Sequence, residues 1–561
     1  MLQRHGRSTN STLFRSLRNR LRMAGNSKEV SYLLIFTFLY KYSSDSLKQY
    51  LLGTIEDKEI TFDELYGNPD YVDAVRRDAH QMLGFFINNP NAFIDEVIST
   101  KLQDDFFINE FYSLFVDNVD FDSDSNYEKY FNFIFDNVKR ESNLFELQSD
   151  SEYSLLIKDM VHTISKLDIN ESKMPCVEVF DLLCKSILRI DYDSDFINEL
   201  LTGIVSQANH SGNVYNPFLN DGSSLIKLNN KDENAYYTLF GKCSDKLTYC
   251  CSLVKFFMSF CDLDEIFVEY GNAMEYSDVD GISFDAIISK LPPVGGWRSR
   301  YINQSQNLEF SKKSKRRQIE DILSNKLGVD ENSFLENSEL NFALENLVDK
   351  LDIGNDLVVE FRGEYESLID SEYLFLLNLI NTLKNNGIMA VVVSQSFLFK
   401  NSLETLRKYL TYENNYIDAI INIPEVYGRS SRPEIICIFR KNRGNDDILF
   451  IDLSKNFKTK KSPNLTRGVI NRNLILDDES LKKLLDVCKN RKVIDKYSNL
   501  ISISEIEDND FNLSVSRYVD TFEGEFIQLS QLVHEKEEID YNIEKLNKKI
   551  HKMMDDLNID F

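Results

Sequence analysis

The 561-residue sequence lacks the cysteine and histidine patterns of metal-binding and disulfide-bonded proteins. Its eight cysteines form no C-x-x-C pair, and its six histidines are scattered along the chain. This usage predicts reduced, mostly buried thiols in a cytoplasmic protein, with no zinc site or other metal site. No apolar run is long enough to cross a membrane, and the run at 32–40 predicts a core helix instead.

Proline and glycine are also sparse, with nine and 21 residues, so long disordered linkers are not expected. The composition is 42% hydrophobic and 27% charged, which is typical of globular chains with a sizeable core. The length predicts roughly two to four domains.

Positive charge is in short supply, since 64 Lys and Arg stand against 90 Asp and Glu, for a net charge of -26. An acidic surface repels phosphate, so the chain alone should not bind DNA strongly without a basic partner or a local basic patch. The candidates for such DNA contact form a basic island: Lys312, Lys313, Lys315, Arg316 and Arg317. A solvated charged face is the alternative interpretation.

The first 28 residues carry seven Lys or Arg and no acidic residue, yet they lack the apolar segment of a signal peptide. A transit peptide and a basic first helix both fit this composition. We favour the basic helix.

Apolar residues recur at helical spacing through 12–140 and again through 152–190, and strand alternation is nearly absent there. We therefore predict an all-α N-terminal domain over 1–165. Further along, strands and helices alternate, which predicts an α/β domain over 166–475 with a polar insertion at about 298–354. Its sheet should be mostly parallel, with helices on both faces. The predicted strands lie at 214–215, 266–268, 286–289, 388–393, 417–421 and 434–439.

The apolar run at 284–291 ends in Pro292 and Pro293. Its isoleucines favour a parallel strand that is covered on both faces, and the prolines favour a rigid loop after it. In open α/β sheets, ligands bind at the carboxyl ends of the strands, so this loop is a candidate site.

Residues 476–561 predict a C-terminal helical tail. Within it, a heptad-like helix over 530–558 has apolar residues at intervals of three, four or seven: Leu532, Ile539, Ile543, Leu546, Ile550, Met553 and Leu557. Such a helix needs a partner helix, which could come from its own chain, from a second copy or from another subunit.

Short motifs then follow one another in a particular order. They include NRLR at 19–22, YNPFLNDGS at 215–223, FGKC at 240–243, GNAM at 271–274 and LPPV at 291–294. Downstream come segments at 371–375, 383–387, 391–399, 407–410, 421–424, 448–452 and 510–519. In this order they resemble the modification subunit of type I restriction–modification systems, an adenine-N6 DNA methyltransferase family.

The resemblance covers most of the chain and implies a Rossmann-like methyltransferase domain that uses S-adenosylmethionine. It also implies partners: DNA within a complex, a specificity-type subunit and often a motor-nuclease subunit. Defence against foreign DNA follows from the resemblance alone. Methylation of a base requires acceptors for the cofactor and a flipped adenine.

The chain departs from the family at the positions that carry this chemistry. At the cofactor-binding positions the family has D-P-x-x-G-S-G, G-x-E and G-D-T-L, where this chain has Asn216, Asn220, Gly222, Cys243 and Asn272. At the catalytic N-P-P-F position it has Leu291, Pro292, Pro293 and Val294, or Lys290 as the first residue if the alignment shifts by one. Five nearby carboxylates are candidate substitutes: Asp193, Asp195, Asp221, Asp245 and Glu269.

These departures predict a degenerate site in a methyltransferase-fold subunit that serves assembly or clamps DNA. An active adenine-N6 DNA methyltransferase with unusual motifs is the first alternative. An acidic binding protein without DNA contact is the second.

Overall fold

The computed structural model describes most of the chain outside 292–370. Apart from the isolated Asn19 and Ala273, the described residues are 28–58, 61–101, 107–122, 125–141, 151–167, 176–188, 195–208, 211–231, 235–260, 263–271, 281–291, 371–423, 433–454, 458–460, 473–475, 477–521 and 529–556. Of the predicted site residues, Asn272, Pro292, Pro293, Val294, Asp193 and the basic island lie outside them.

The N-terminal part is mainly helical. Its elements are α1 (Lys28–Lys58), α2 (Phe62–Gly67), α3 (Pro69–Leu83), β1 (Phe85–Ile87), α4 (Ile94–Lys101), α5 (Phe107–Val116), β2 (Val119–Phe121), α6 (Asn126–Glu141), α7 (Ser151–Ser165) and α8 (Cys176–Leu183). All nine side chains of 32–40 in α1 are buried. A helix that is apolar on every side is expected in a core. Helices α6 and α7 pack around α1, as does the helix at 246–259. The core helix predicted at 32–40 is confirmed.

The prediction that this part is all-α is wrong in one detail. β1 and β2 pair antiparallel, with Phe85 opposite Phe121 and Ile87 opposite Val119. Each strand has only three residues, and β1 is buried throughout, so neither shows the alternation by which a strand is recognised in a sequence.

The second part alternates strands and helices. It contains α9 (Asp195–Ala208), β3 (Ser211–Asn216), α10 (Ser223–Asn229), β4 (Tyr236–Cys243), α11 (Lys246–Ser259), β5 (Ile266–Tyr270), β6 (Phe284–Lys290), α12 (Ser371–Thr382), β7 (Leu383–Ser394), α13 (Glu404–Lys408), β8 (Ile417–Asn422), β9 (Glu434–Arg440), β10 (Asp447–Asp452), β11 (Lys458–Lys460), β12 (Asn473–Ile475), α14 (Asp478–Asn490), β13 (Ser498–Ser502), α15 (Ile503–Asp508), α16 (Val515–Tyr518) and α17 (Leu529–Asp556).

Nine of these strands form one sheet in the order β13-β10-β8-β9-β7-β6-β3-β4-β5. The pairs are parallel except where β9 meets β7 and β8 and where β13 meets β10. The chain runs outward from β3 in one direction through β4 and β5, and then crosses back to β6 and β7. The predicted mostly parallel α/β sheet is confirmed, and its topological switch point lies between β3 and β6.

Both faces of the sheet are covered. Along β7, Ile388, Ala390 and Val392 belong to one apolar core, and Met389, Val391 and Val393 belong to the other. The first core also contains the buried side chains of α1, so it runs without a break from the N-terminal helices to the sheet. Helices α9 and α11 pack on that face, and α12, α13 and α16 on the other.

The edge strand β5 is held by a tyrosine of α6. The Tyr130 hydroxyl donates to the carbonyl of Ile266 at 2.5 Å and accepts from the amide of Val268 at 3.1 Å. Both groups are ones that a further strand would use, and Tyr249 of α11 takes the neighbouring carbonyl of Val268 at 2.8 Å.

The sheet extends beyond residue 475, the boundary predicted for the α/β domain. β13 pairs with β10, with Asn499 opposite Phe450, and the helix that leads to it, α14, packs against α9. Residues 477–502 therefore belong to the sheet layer, because α14 covers the sheet and returns the chain to its edge. The rest of the three-part domain division stays a prediction.

α17 covers most of the segment predicted as a heptad-like helix. Five of its apolar side chains are 50–62% exposed: Ile539, Ile543, Leu546, Ile550 and Met553. Within the described part of the chain, no helix has the length and apolar character needed to cross a membrane.

Candidate functional site

The candidate site lies at the edge of the sheet where β3, β4, β5 and β6 end. Because these strands are parallel, the segments that follow them meet at one edge. The switch point between β3 and β6 is where open α/β sheets form a ligand crevice. Its described borders are the loop 216–222 on one side and Lys290 with Leu291 on the other.

Asn216, the last residue of β3, uses its side chain to shape the loop. Its Oδ1 accepts from the amide of Phe218 at 3.0 Å, and its Nδ2 donates to Ser224 Oγ at 2.8 Å. The side chain is 2% exposed. A carboxylate could accept the first bond but could not donate the second, so the amide fits this position as it stands.

The backbone of this loop is left-handed at two residues. Asn220 and Gly222 both have left-handed backbones, with φ of 49° and 76°. A Cβ at Gly222 would lie 2.8 Å from the ring of Phe256, so only glycine fits there. Asparagine tolerates the left-handed region better than most residues, which explains how Asn220 can stand where the motif has glycine.

A buried lysine ties this loop to the N-terminal helices. Lys255 Nζ in α11 lies 2.6 Å from Asp221 Oδ2 and 2.9 Å from Asp181 Oδ1 of α8, and it donates to Ser223 Oγ at 2.5 Å. Lys255 is 1% exposed and Asp221 is 2% exposed. Burial lowers the pKa of Lys255, but the two carboxylates raise it by more, so the lysine stays charged.

Neither Lys255 nor Asp181 was predicted from the sequence. Lys255 lies within an apolar helix, and lysine is rarely buried without a charged partner. A lysine in such a helix is the one sequence signal for this ion pair. Its partners are 34 and 74 residues away, so no local pattern joins them.

Cys243 ends β4 at the position where the resemblance implies a carboxylate for the cofactor ribose. Its thiol is 6% exposed, and its Sγ donates to the carbonyl of Asp245 at 3.4 Å. Burial raises the pKa of this thiol to about 12, so it is protonated near neutral pH. A neutral thiol is a weak acceptor and cannot replace the two oxygens of a carboxylate.

The nearby carboxylates are engaged elsewhere or exposed. Asp221 is bound by Lys255. Asp245 caps α11, accepting from the amide and the hydroxyl of Thr248 at 2.8 and 2.6 Å. Glu269 lies 3.8 Å from the buried ammonium of Lys242. Asp195 is 82% exposed, at the start of α9.

Leu291 turns away from the crevice. Its amide donates to the carbonyl of Val392 at 3.0 Å, and its side chain, 5% exposed, belongs to the second apolar core. Lys290 points to another partner, since its Nζ lies 3.0 Å from Glu434 Oε2 of β9. Neither residue offers an acceptor to the amine of a flipped base.

The structure thus brings Asn216, Asn220, Gly222, Cys243 and Leu291 to one edge, as the motifs implied. At 243 and 291 the chain has a thiol and a leucine, where the resemblance implies a carboxylate for the ribose and a polar acceptor for the base. Among the described residues, no group of three or more His, Cys, Asp or Glu side chains is placed to hold a metal ion.

Several known proteins are similar to this chain. The N-6 DNA Methylase family model matches residues 359–525. The methylase subunit of the type I restriction enzyme MpnII from Mycoplasma pneumoniae is 21% identical, over 95% of this chain and 93% of that protein. The MjaVII methylase subunit from Methanocaldococcus jannaschii is 33% identical over 157 residues, which are 27% of this chain and 26% of that protein.

A solved structure shares the fold. The methyltransferase subunit of a type I restriction-modification system from Streptococcus thermophilus superposes with a TM-score of 0.65 at 18% identity, covering 92% of this chain and 100% of that one. Its similarity extends through the N-terminal helices as well as the sheet, as its coverage requires. The resemblance of the motifs is therefore confirmed: along almost its whole length the chain is similar to methyltransferase subunits of type I restriction–modification systems.

Proposed function

We propose that this protein is a subunit of a type I restriction–modification-like DNA complex that has kept the methyltransferase fold but does not methylate. Its role is to assemble the complex or to clamp DNA within it. The observation that carries the proposal is Cys243, a buried neutral thiol where the family's cofactor contact needs a carboxylate.

The other described positions support the same conclusion. Asn216 is satisfied within its own loop, Asp221 is neutralised by Lys255, and Leu291 faces the core. Each polar group of a ligand that is buried without a partner costs about 1–3 kcal/mol. Three such losses weaken binding by about a factor of 100 or more, since 1.4 kcal/mol corresponds to a factor of ten.

The proposed partners are a DNA-specificity subunit and a motor-nuclease subunit, as the family implies. The apolar side of α17 is the proposed contact surface for a subunit, because five of its apolar side chains are half exposed or more. Self-association through 530–558 is the alternative use of that surface. The net charge of -26 supports DNA contact within a complex rather than by the chain alone.

An active adenine-N6 methyltransferase is the second candidate. It is favoured by the loop backbone, because Asn220 and Gly222 preserve the left-handed conformations that let a cofactor approach closely. In that case S-adenosylmethionine would have to find its carboxylates among residues outside the usual positions.

Calorimetric titration of the purified full-length chain with S-adenosylmethionine distinguishes the non-methylating subunit from the active methyltransferase. We expect no binding tighter than about 100 μM, with or without DNA and the partner subunits. Transfer of labelled methyl groups to DNA by the reconstituted complex provides a second readout, and we expect none. Binding tighter than about 100 μM, or methyl transfer, would overturn the degenerate site and favour the active enzyme.

The acidic-binder alternative is tested separately by a gel shift. The reconstituted complex at low salt should retard duplex DNA, and retardation should weaken when this subunit is omitted. Absence of DNA binding by the complex at every salt concentration would support the acidic binding protein without DNA contact.

A further inference from the structure

A cleft of about 420 Å³ lies at the other end of the strands of the sheet, away from the loop after β3. It lies where β8 and β10 begin, where β9 ends and where α9 and α14 end. Five basic residues line it: Arg440, Lys441, Arg443, Lys489 and Arg491. Such a concentration of positive charge is unexpected on a chain with a net charge of -26.

The acidic groups at the cleft balance only part of this charge. Asp418 lies 3.0 Å from Arg440 Nε, 3.2 Å from Arg443 Nε and 2.5 Å from a terminal nitrogen of Arg491. Asp447 lies 2.9 Å from the other terminal nitrogen of Arg491. Five basic side chains therefore face two carboxylates. Lys441 donates to two backbone carbonyls, and burial lowers its pKa.

Several donors at the cleft remain available. Among the described residues, Arg440 uses its Nε for Asp418, and its two terminal nitrogens have no recorded partner. Lys489 is exposed at the rim, at the end of α14. Arg491 adds positive charge rather than a free donor, because its terminal nitrogens are bound to Asp418 and Asp447 and its Nε is buried. Arg440 comes from a strand and Lys489 from a helix end, and both line the same cleft.

Three apolar residues also line the cleft. They are Ile204 of α9, Ala419 of β8 and Ile438 of β9, and each is at most 4% exposed. A concave site of this size with a few polar groups suits a small molecule. Guanidinium groups favour phosphate, because their planar donors match two of its oxygens.

We propose that this cleft binds a compact phosphorylated small molecule of about nucleotide size. The phosphate lies between Arg440 and Lys489, near the charge of Arg491, and the rest of the ligand fills the cleft beside Ile204 and Ile438. The site is separate from the carboxyl edge of the sheet, so it does not depend on whether that edge methylates DNA. A small ligand is favoured over duplex DNA because the cations line a concavity rather than a broad convex face.

Calorimetry on the full-length chain tests the proposal, with inorganic phosphate, pyrophosphate, AMP and ATP as separate probes near physiological salt. We expect at least one probe to bind with a Kd below about 1 mM. The double variant Arg440→Gln/Lys489→Gln should weaken that binding about tenfold or more. Lys482→Gln is the matched control, since Lys482 is exposed on the same helix but does not line the cleft.

The melting temperature gives a second readout that does not depend on heat of binding. The bound probe should raise the melting temperature of the wild type and of Lys482→Gln, and should raise that of the double variant less. A double variant that melts like the wild type without ligand shows that the fold is intact.

Two outcomes would overturn the proposal. One is the absence of binding by all four probes at about 5 mM. The other is binding of a short DNA duplex that the double variant loses while none of the small probes competes, which would assign the cations to a nucleic-acid backbone.

Discussion

Lys255 and Asp221 form an ion pair beneath the loop that follows β3, with 2.6 Å between Nζ and Oδ2 and almost no solvent access to either side chain. Asp181 of α8 completes the arrangement from the N-terminal part of the chain. The loop is therefore held by contacts within the protein, whether or not a ligand is present.

Replacing Lys255 with methionine should destabilise the protein strongly. The substitution leaves Asp221 buried without its cation, and removing one partner of a buried pair typically costs about 3–5 kcal/mol. Urea unfolding of the full chain measures the loss. The control is Lys227→Met, whose ammonium lies 3.7–3.8 Å from Asp195 and Glu199 in a more exposed setting, where the expected loss is about 1 kcal/mol or less.

The double variant Lys255→Met/Asp221→Asn separates charge from packing. It removes both charges together, so it should be more stable than Lys255→Met alone. Equal losses in Lys255→Met and Lys227→Met would show that the buried pair does not support the loop.

Restoring the family's aspartate at 216 should harm the protein rather than revive a cofactor site. Asn216→Asp removes the donor to Ser224 Oγ and places a carboxylate at a position that is 2% exposed. We expect a loss of about 1–3 kcal/mol in the free energy of unfolding and no gain in S-adenosylmethionine binding. The control is Asn213→Asp, which has an exposed side-chain contact on the same strand. Tight binding of S-adenosylmethionine by Asn216→Asp would mean that asparagine at this one position prevents cofactor binding.

Alkylation of Cys243 should be slow at neutral pH and should accelerate only in strong alkali. Because burial raises the pKa of this thiol to about 12, the fraction present as thiolate at pH 8 is about 10⁻⁴, against roughly a quarter for an unperturbed thiol. Iodoacetamide labelling followed by peptide mass spectrometry measures the rate at this cysteine.

The sign of the pH effect follows from the direction of the shift. A raised pKa means that the folded protein holds the proton more tightly than the unfolded chain does. The thiol therefore favours folding up to about pH 8.5, and that contribution is lost as the pH rises toward 12. Labelling of native Cys243 as fast as in the urea-unfolded chain at pH 8 would contradict the buried, neutral thiol.

Removing the residues after Phe526 should leave a folded protein that no longer co-purifies with its partner subunit. α17 exposes its apolar side chains, so its loss uncovers no described core. Circular dichroism checks the fold, and size-exclusion chromatography with light scattering checks assembly.

A point variant makes the test of the tail sharper. Ile543→Asp/Leu546→Asp places charges on side chains that are 51% and 58% exposed, and it should abolish assembly while leaving the melting temperature unchanged. Glu544→Gln on the same turn is the control. Normal assembly by the aspartate variant would show that this side of α17 is not the contact surface.

Parts of this fold could be predicted from the sequence because buried parallel strands are continuous apolar runs. The predicted strands 388–393, 417–421 and 434–439 fall within β7, β8 and β9. β13 was not predicted as a strand because its sequence, SNLIS, is short and half polar, which is typical of an edge strand. Its place in the sheet depends on pairing with β10, about 50 residues earlier, which no local pattern records.

At the candidate site, the motifs placed Asn216, Cys243 and Leu291 at one edge, but they could not say where those side chains point. Leu291 could have faced a ligand or the core, and its backbone bond to Val392 turns it toward the core. The partners of Lys255 could not be predicted either, because a buried charge is recognisable in a sequence only once its long-range partner is known.

Tyr130, which hydrogen-bonds to the backbone of β5, has a consequence for aggregation. A bare sheet edge recruits strands from other molecules, and this sheet, with nine strands, would be an effective template. Tyr130 occupies the carbonyl of Ile266 and the amide of Val268, so an incoming strand would find both groups taken. Tyr249 takes the carbonyl of Val268 as well, so two phenols oppose growth of the sheet through this edge.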